Sequence, residues 1–284
     1  MAEFAYLDES LDINQTLLYH LSIQISLNGL SFCILNTVNQ KYIALKHYPL
    51  PAVDKNTSFP DLLRKTIEKD EFLRKEYKSR AVMIISFKST LVPAPLYDEK
   101  FGETYFRFNH ALEDNEKVMA NRIKGLDAWN LFVIPDELSA LLEEYFPDAI
   151  LFHQITPFLN NIIRHQTPKN TKPVIFVNIH DDFFDLAVFR EQSPEMVNSF
   201  YYRQVNDLVY FILYALKAMK ADPSTTPLLL MGKINPESNL LQSLHLYIKN
   251  ITLVKRNPAF TYSYTLNMIT EHSFANLFNL YLCV

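Results

Sequence analysis

One short segment gathers the side chains with the clearest chemical capacity. His180, Asp181 and Asp182 are consecutive, and Asp185 follows three residues later. Imidazole and carboxylate groups are ligands for several divalent ions. Aspartate is also typical of solvated turns, and neighbouring side chains along a strand point to opposite faces of a sheet. We therefore interpret this segment as a polar turn and predict no metal site.

No other segment supplies a catalytic arrangement. The remaining histidines are scattered, and none lies at metal-ligand spacing from a cysteine or another histidine. Cys33 lies between Phe32 and Ile34, an apolar setting in which a reactive thiolate is not expected. The sequence has neither a nucleophile elbow nor a phosphate-binding P-loop. We predict no catalytic residue.

Predicted strands flank the polar turn, and a similar pair occurs near the start of the chain. Apolar runs over 174–179 and 185–190 predict a hairpin around the turn. Alternating residues over 21–27 and 30–36 predict another hairpin, with Asn28-Gly29 between its strands. Each half of the chain then continues with a third strand, a helix, a strand and a helix. This order predicts an α/β fold with two duplicated lobes that face each other across a cleft.

We assign residues 1–155 to the first lobe, with an inserted subdomain at about 88–125. Residues 156–172 are assigned to an interlobe helix and linker, and residues 173–284 to the second lobe. Three further expectations concern single elements, namely a helix over 61–78, a strand over 104–108 and a last helix over 266–278.

Composition narrows the class of protein. The chain has 284 residues, a formal net charge of −4, two cysteines and only four glycines. A basic excess that would neutralise a nucleic-acid backbone is lacking, so we expect no nucleic-acid partner. The apolar stretch over 208–216 is too short to span a membrane, and the first residues do not resemble a signal peptide. These features predict a cytoplasmic protein with no membrane span.

Three segments resemble nucleotide-binding motifs. Residues 23–29 end a predicted strand in a turn, residues 178–185 form the polar hairpin, and residues 229–233 are apolar residues followed by glycine and lysine. With the order of elements, these segments are similar to the two phosphate motifs and the adenosine motif of the actin-like ATPase superfamily. The resemblance covers nearly the whole chain. It is strongest to the bacterial cell-division actin homologue, the type IV pilus M proteins, and a bacterial family of unknown function assigned to this fold.

The motifs differ from the family pattern at the residues that bind nucleotide. The first phosphate motif has an Asp-x-Gly turn, and Gln24 and Ser26 stand at the aspartate and glycine positions. The second reads Asp-Ile-Gly-Gly-Gly-Thr-Thr-Asp, and residues 178–185 match it only at the second and last positions. Gly232 is one of two glycines expected in the adenosine motif. The positions of the expected cleft are Gln24, Ser26, Asn178, His180, Asp181, Asp182, Asp185 and Gly232.

These differences imply that ATP hydrolysis by the family mechanism is lost. Asp181 and Asp182 would stand where nucleotide phosphates belong, and two like charges about 4 Å apart repel by roughly 4 kcal/mol at an intermediate dielectric constant. We therefore expect no cofactor and a non-catalytic scaffold or adaptor that binds a protein partner and is able to self-associate. The alternatives are a divergent nucleotide-binding ATPase or sugar-kinase-like enzyme, and a ligand sensor.

Overall fold

The computed structural model describes residues 3–51, 57–166, 172–234 and 239–284, without the side chains of residues 165 and 166. The chain forms two compact units. Unit 1 comprises Met1–Pro157, Pro258–Met268 and Leu277–Val284, and unit 2 comprises Phe158–Asn257 and Ile269–Asn276. Within the described residues, none of the helices has the length and apolar character needed to cross a membrane.

Unit 1 is built on a mixed sheet with the strand order β1-β4-β3-β2-β5-β9, and β15 pairs with β4. Strands β2, β3 and β4 form antiparallel pairs, whereas β2, β5 and β9 run parallel. The strands are β1 (Phe4–Leu7), β2 (Tyr19–Ser26), β3 (Gly29–Asn36), β4 (Lys41–Pro49), β5 (Ser79–Ile84), β9 (Ile150–His153) and β15 (Thr261–Tyr262).

The first hairpin is present, but its turn lies one residue earlier than expected. Ser26 pairs with Gly29, so Leu27 and Asn28 form the loop and Gly29 begins β3. A Cβ atom at Gly29 would lie 2.8 Å from His47 Cε1 and 2.9 Å from the Tyr48 carbonyl oxygen. Glycine is therefore required here for close packing against β4.

Helices α1 (Phe59–Lys69) and α3 (Asp136–Tyr145) contribute to the core of the mixed sheet of unit 1. Helix α4 (Ile155–Asn161) begins in unit 1 and ends in unit 2, where a π-helix follows over Ile162–Gln166. The expectation of a single helix over 61–78 is wrong, because α1 ends at Lys69 and Asp70 follows it in an extended conformation. The Asp70 carboxylate accepts hydrogen bonds from the backbone N–H groups of Phe72 (2.8 Å) and Leu73 (3.2 Å), which turns the chain away from the helix. The linker residues 167–171 lie outside the described residues.

Unit 1 also contains a three-stranded sheet. Its order is β6-β8-β7, with β6 at Ser89–Pro93, β7 at Glu116–Ile123 and β8 at Ala128–Pro135. The strand expected over 104–108 is wrong, because Gly102–Arg107 forms the helix α2. A helix places Phe106 in a small core with Val92, Leu131 and Val133, while Arg107 remains exposed.

Unit 2 contains a five-stranded sheet with the order β12-β11-β10-β13-β14. The strands are β10 (Val174–Ile179), β11 (Phe183–Arg190), β12 (Ser193–Tyr201), β13 (Leu228–Gly232) and β14 (Ile251–Leu253). The helices are α5 (Val205–Ala218), α6 (Asn239–His245) and α7 (Ala275–Asn279). Helix α7 begins in unit 2 and ends in unit 1. Strand β11 is antiparallel to both β12 and β10, whereas β13 is parallel to both β10 and β14. The segment β4-β3-β2-β5-β9 of unit 1 has the same order and directions.

The end of the chain departs from the predicted organisation. The assignment of all residues 173–284 to one lobe differs from the structure, since β15 pairs with β4 and the Tyr42 hydroxyl donates to the Phe278 carbonyl oxygen, both in unit 1. The last helix expected over 266–278 is also wrong. A 3-10 helix over Tyr264–Met268 and α7 replace it, separated by a non-helical stretch.

Candidate functional site

The polar turn between β10 and β11 is held by backbone and side-chain hydrogen bonds. The His180 N–H donates to the Phe183 carbonyl oxygen at 2.9 Å, and the Tyr202 N–H donates to the Asp182 carbonyl oxygen at 3.0 Å. The Tyr202 hydroxyl donates to the His180 carbonyl oxygen at 2.7 Å. The backbone carbonyl oxygens of His180, Asp182 and Phe183 thus accept hydrogen bonds from donors of the protein itself.

Four polar side chains meet on one face of the unit 2 sheet, and we call them the carboxylate network: Asn178, His180, Asp185 and Ser199. Asn178 pairs with Asp185 in the β10–β11 register, and Asp185 pairs with Ser199 in the β11–β12 register. Directly opposed residues share a face, as do residues two apart in a strand. The strand geometry therefore brings these four side chains together.

The Asp185 carboxylate is the centre of this network and is completely buried. His180 Nε2 lies 2.8 Å from Asp185 Oδ2, and Asn178 Nδ2 donates to the same oxygen at 3.2 Å. The Ser199 hydroxyl donates to Asp185 Oδ1 at 2.7 Å. A buried carboxylate requires such donors because burial removes its hydration. The donors belong to the chain itself, so both carboxylate oxygens face partners within unit 2.

Gly232 packs closely against one side of the carboxylate network. It ends β13, pairs with Ile179 and has a φ of +92°. A Cβ atom there would lie 2.3 Å from the Ile179 carbonyl oxygen and 2.8 Å from Asn178 Oδ1. Both the backbone conformation and the close approach therefore require glycine.

The two acidic residues at the tip of the turn have a different environment. Asp181 and Asp182 are exposed. Lys233, which follows β13, places Nζ 2.6 Å and 2.7 Å from the two carboxylate oxygens of Asp181. Across the described ranges, His, Cys, Asp and Glu side chains form no group of three or more with metal-binding geometry. The tip is arranged as an ion pair.

The two expected positions in the first half of the chain belong to unit 1. Gln24 is half-buried in β2, opposite Ser31 of β3 and Met83 of β5. Ser26 ends β2, and its hydroxyl donates to the Gly29 carbonyl oxygen at 3.3 Å. The structure therefore brings Asn178, His180, Asp185 and Gly232 together in unit 2, and it places Gln24 and Ser26 at the first hairpin.

Sequence reasoning missed a second buried polar group, in unit 1. The Gln154 side-chain amide donates to the Ser86 carbonyl oxygen (2.8 Å) and accepts from the Ser86 N–H (3.1 Å). His153 Nε2 donates to the same carbonyl (3.0 Å), and the His153 N–H donates to Asn121 Oδ1 (3.0 Å). Ser86 follows β5, and His153 and Gln154 are the last residue of β9 and the residue after it. The carboxyl ends of parallel strands are where ligands bind in open α/β sheets. Polar residues directly after two apolar strand runs were the available signal.

Solved structures with similar architecture define the class of protein. A protein from Bacteroides thetaiotaomicron, described as having an actin-like ATPase fold and unknown function, is 26% identical; the match covers 91% of this chain and 96% of that one, with a TM-score of 0.77. The PilM–PilN type IV pilus biogenesis complex matches at 13% identity over 93% of this chain and 97% of that one, with a TM-score of 0.58. The ethanolamine utilization protein EutJ from Carboxydothermus hydrogenoformans matches at 7% identity over 93% and 90%, with a TM-score of 0.51. The chain has the mixed α/β fold of the actin-like ATPases, which confirms the resemblance seen in the sequence.

The family follows from the sequence itself. A family model described as "Protein of unknown function (DUF3822)" matches residues 8–251, and the chain belongs to this family. A search of curated protein sequences finds no match.

Proposed function

We propose that this protein is a non-hydrolysing scaffold that uses an actin-like fold to bind a protein partner. The carboxylate network carries the proposal. The second phosphate motif of the actin-like ATPases has an aspartate at each end. Asn178 replaces the first of these here, and the carboxylate of the second, Asp185, accepts hydrogen bonds from Asn178, His180 and Ser199. A carboxylate already compensated within the protein gains little from a metal ion, because binding would break these bonds.

The charge at the tip of the turn supports the same proposal. The exposed carboxylates of Asp181 and Asp182 are unfavourable neighbours for a nucleotide phosphate, and Lys233 neutralises only the first of them. We further propose that the two units are the duplicated lobes of the fold, with the β6-β8-β7 sheet as an insertion. Their shared strand order supports this assignment.

An exposed aromatic pair in unit 2 supports a protein partner. Tyr210 and Tyr214 lie one turn apart on α5, are 62% and 54% exposed, and stack with ring centroids 6.3 Å apart. Tyrosine is enriched at the centres of protein interfaces. One structural neighbour, PilM, is described in a complex with PilN, so a protein of this fold assembles with a protein partner.

Thermal unfolding with and without millimolar Mg-ATP tests the loss of nucleotide binding. A ligand at about 100 times its dissociation constant adds roughly 2.7 kcal/mol to the free energy of unfolding, which for a chain of this size corresponds to roughly 5–10 °C in Tm. We expect no shift at a concentration that stabilises a known actin-like ATPase. An upward shift would refute the proposal and favour the divergent nucleotide-binding alternative.

Partner binding has its own test. The full chain and a Tyr210→Ser/Tyr214→Ser variant are each used to purify partners from the native cell, after their Tm values are shown to agree. We expect a partner that is retained by the wild type and lost by the variant, because both rings are exposed and the substitutions leave the core intact. Retention of the same partners by both proteins would show that the α5 surface is not the binding site.

A further inference from the structure

One asparagine in the three-stranded sheet of unit 1 has a buried side chain that the surrounding protein does not satisfy. Asn130 lies in the middle of β8 and is completely buried. Among the described residues, neither its Oδ1 nor its Nδ2 has a hydrogen-bond partner. Buried polar side chains are normally bonded to protein groups or to ordered water, so this amide marks a place where a small polar ligand is required.

The strand register identifies the neighbours of this amide. Asn130 is directly opposite Leu91 of β6 on one side and Asn121 of β7 on the other. The Leu91 side chain offers neither a donor nor an acceptor. Directly opposed side chains lie on the same face of a sheet. Asn121 is therefore the polar side chain that the register places next to Asn130.

The Asn121 side chain is held in place by β9 and the residues after it. Its Nδ2 donates to the Leu151 carbonyl oxygen at 2.9 Å. Its Oδ1 accepts from the His153 N–H at 3.0 Å and from the Thr156 hydroxyl at 3.2 Å. These bonds use one of the two Nδ2 hydrogens, so the second is available to a further acceptor.

We propose that unit 1 binds ordered water at Asn130, with at least one water molecule bridging the side chains of Asn130 and Asn121. The two amides form no direct hydrogen bond, whereas a bridging water spans about 5–6 Å, which is twice an ordinary hydrogen-bond length. The water accepts from the second Nδ2 hydrogen of Asn121 and donates to Asn130 Oδ1. Because Asn121 is bonded to β9, this water links the three-stranded sheet to the mixed sheet of unit 1.

A high-resolution crystal structure of the full chain tests the site directly. We expect a water molecule within about 2.7–3.2 Å of both an Asn130 side-chain atom and Asn121 Nδ2. Absence of water between the two asparagines would overturn the proposal, whether the Asn130 amide then bonds directly to protein atoms or stays unpaired.

Water magnetic relaxation dispersion tests the site in solution, because it counts the buried waters that exchange slowly with the solvent. Asn130→Leu replaces the amide with a larger apolar side chain, and we expect at least one fewer slowly exchanging water than in the wild type. Asn109→Leu is the matched control, because Asn109 is exposed and its side chain already donates to Thr90 at 2.6 Å; it should leave the number unchanged. Equal numbers in the wild type and Asn130→Leu would overturn the proposal, and the wild-type crystal structure decides the question if Asn130→Leu does not fold.

Discussion

Alanine substitution distinguishes Gly232, where the backbone conformation requires glycine, from Gly102, where it does not. Gly232 has a φ of +92°, and its added Cβ would lie 2.3 Å from the Ile179 carbonyl oxygen. An L-residue in a left-handed conformation costs about 1–2 kcal/mol, and displacement of a packed neighbour costs about 1–3 kcal/mol more. We expect Gly232→Ala to lower the free energy of unfolding by roughly 2–5 kcal/mol, or Tm by roughly 5–15 °C.

Gly102 provides the matched control. It begins α2 with a helical backbone, and its added Cβ would meet only Val118 Cγ1, at 4.0 Å. Alanine there should stabilise the chain by about 0.4–1 kcal/mol, because it restricts the unfolded state without strain. Both variants are measured by thermal and urea unfolding under the same conditions. A Gly232→Ala variant that melts within about 2 °C of the wild type would refute the close packing of β13 against β10.

Two further predictions concern buried charge. Asp70 is 3% exposed and pairs with the partly buried Lys46 at 2.9 Å. Asp70→Ala should cost about 3–5 kcal/mol in urea unfolding, because it leaves this ammonium group and the Phe72 and Leu73 N–H groups without their carboxylate. Glu144→Ala, which breaks an exposed pair with Arg64, should cost less than about 1 kcal/mol, and equal costs would contradict this assignment. Burial lowers the pKa of His20 from 6.5 to about 3, so between these two pH values the unfolded chain binds a proton that the folded chain does not. The free energy of unfolding should therefore fall with decreasing pH by up to about 1.4 kcal/mol per unit from this residue, and His20→Gln should reduce that slope; an unchanged slope would show that His20 is accessible to protonation.

Local patterns in the sequence were sufficient to predict the strand β10 of unit 2 and the turn that follows it. The apolar run over 174–179 matches β10, and a polar turn follows it as expected. The limits of α1 were not predictable in the same way. The four-residue spacing of Leu73 and Tyr77 continues the helical pattern of Leu63 and Ile67, but the Asp70 side chain accepts hydrogen bonds from the backbone N–H groups that follow it. Lys46, which lies 24 residues earlier, donates to the other oxygen of the same carboxylate at 2.9 Å. The spacing of residues within one helix contains no information about a contact between Asp70 and a residue so far away in the sequence.

In the candidate site too, some features follow from the local sequence and others depend on contacts between distant residues. The resemblance to actin-like proteins selects Asn178, Asp185 and Gly232, because they stand at positions of the second phosphate motif and of the adenosine motif. It does not select Ser199, which reaches Asp185 only through the register of β11 with β12. Yet Ser199 donates to one of the two carboxylate oxygens, and so it helps to decide whether Asp185 is available to a ligand. Positions can thus be inferred from motif order, whereas the chemistry at those positions depends on partners that only the folded sheet brings within hydrogen-bonding distance.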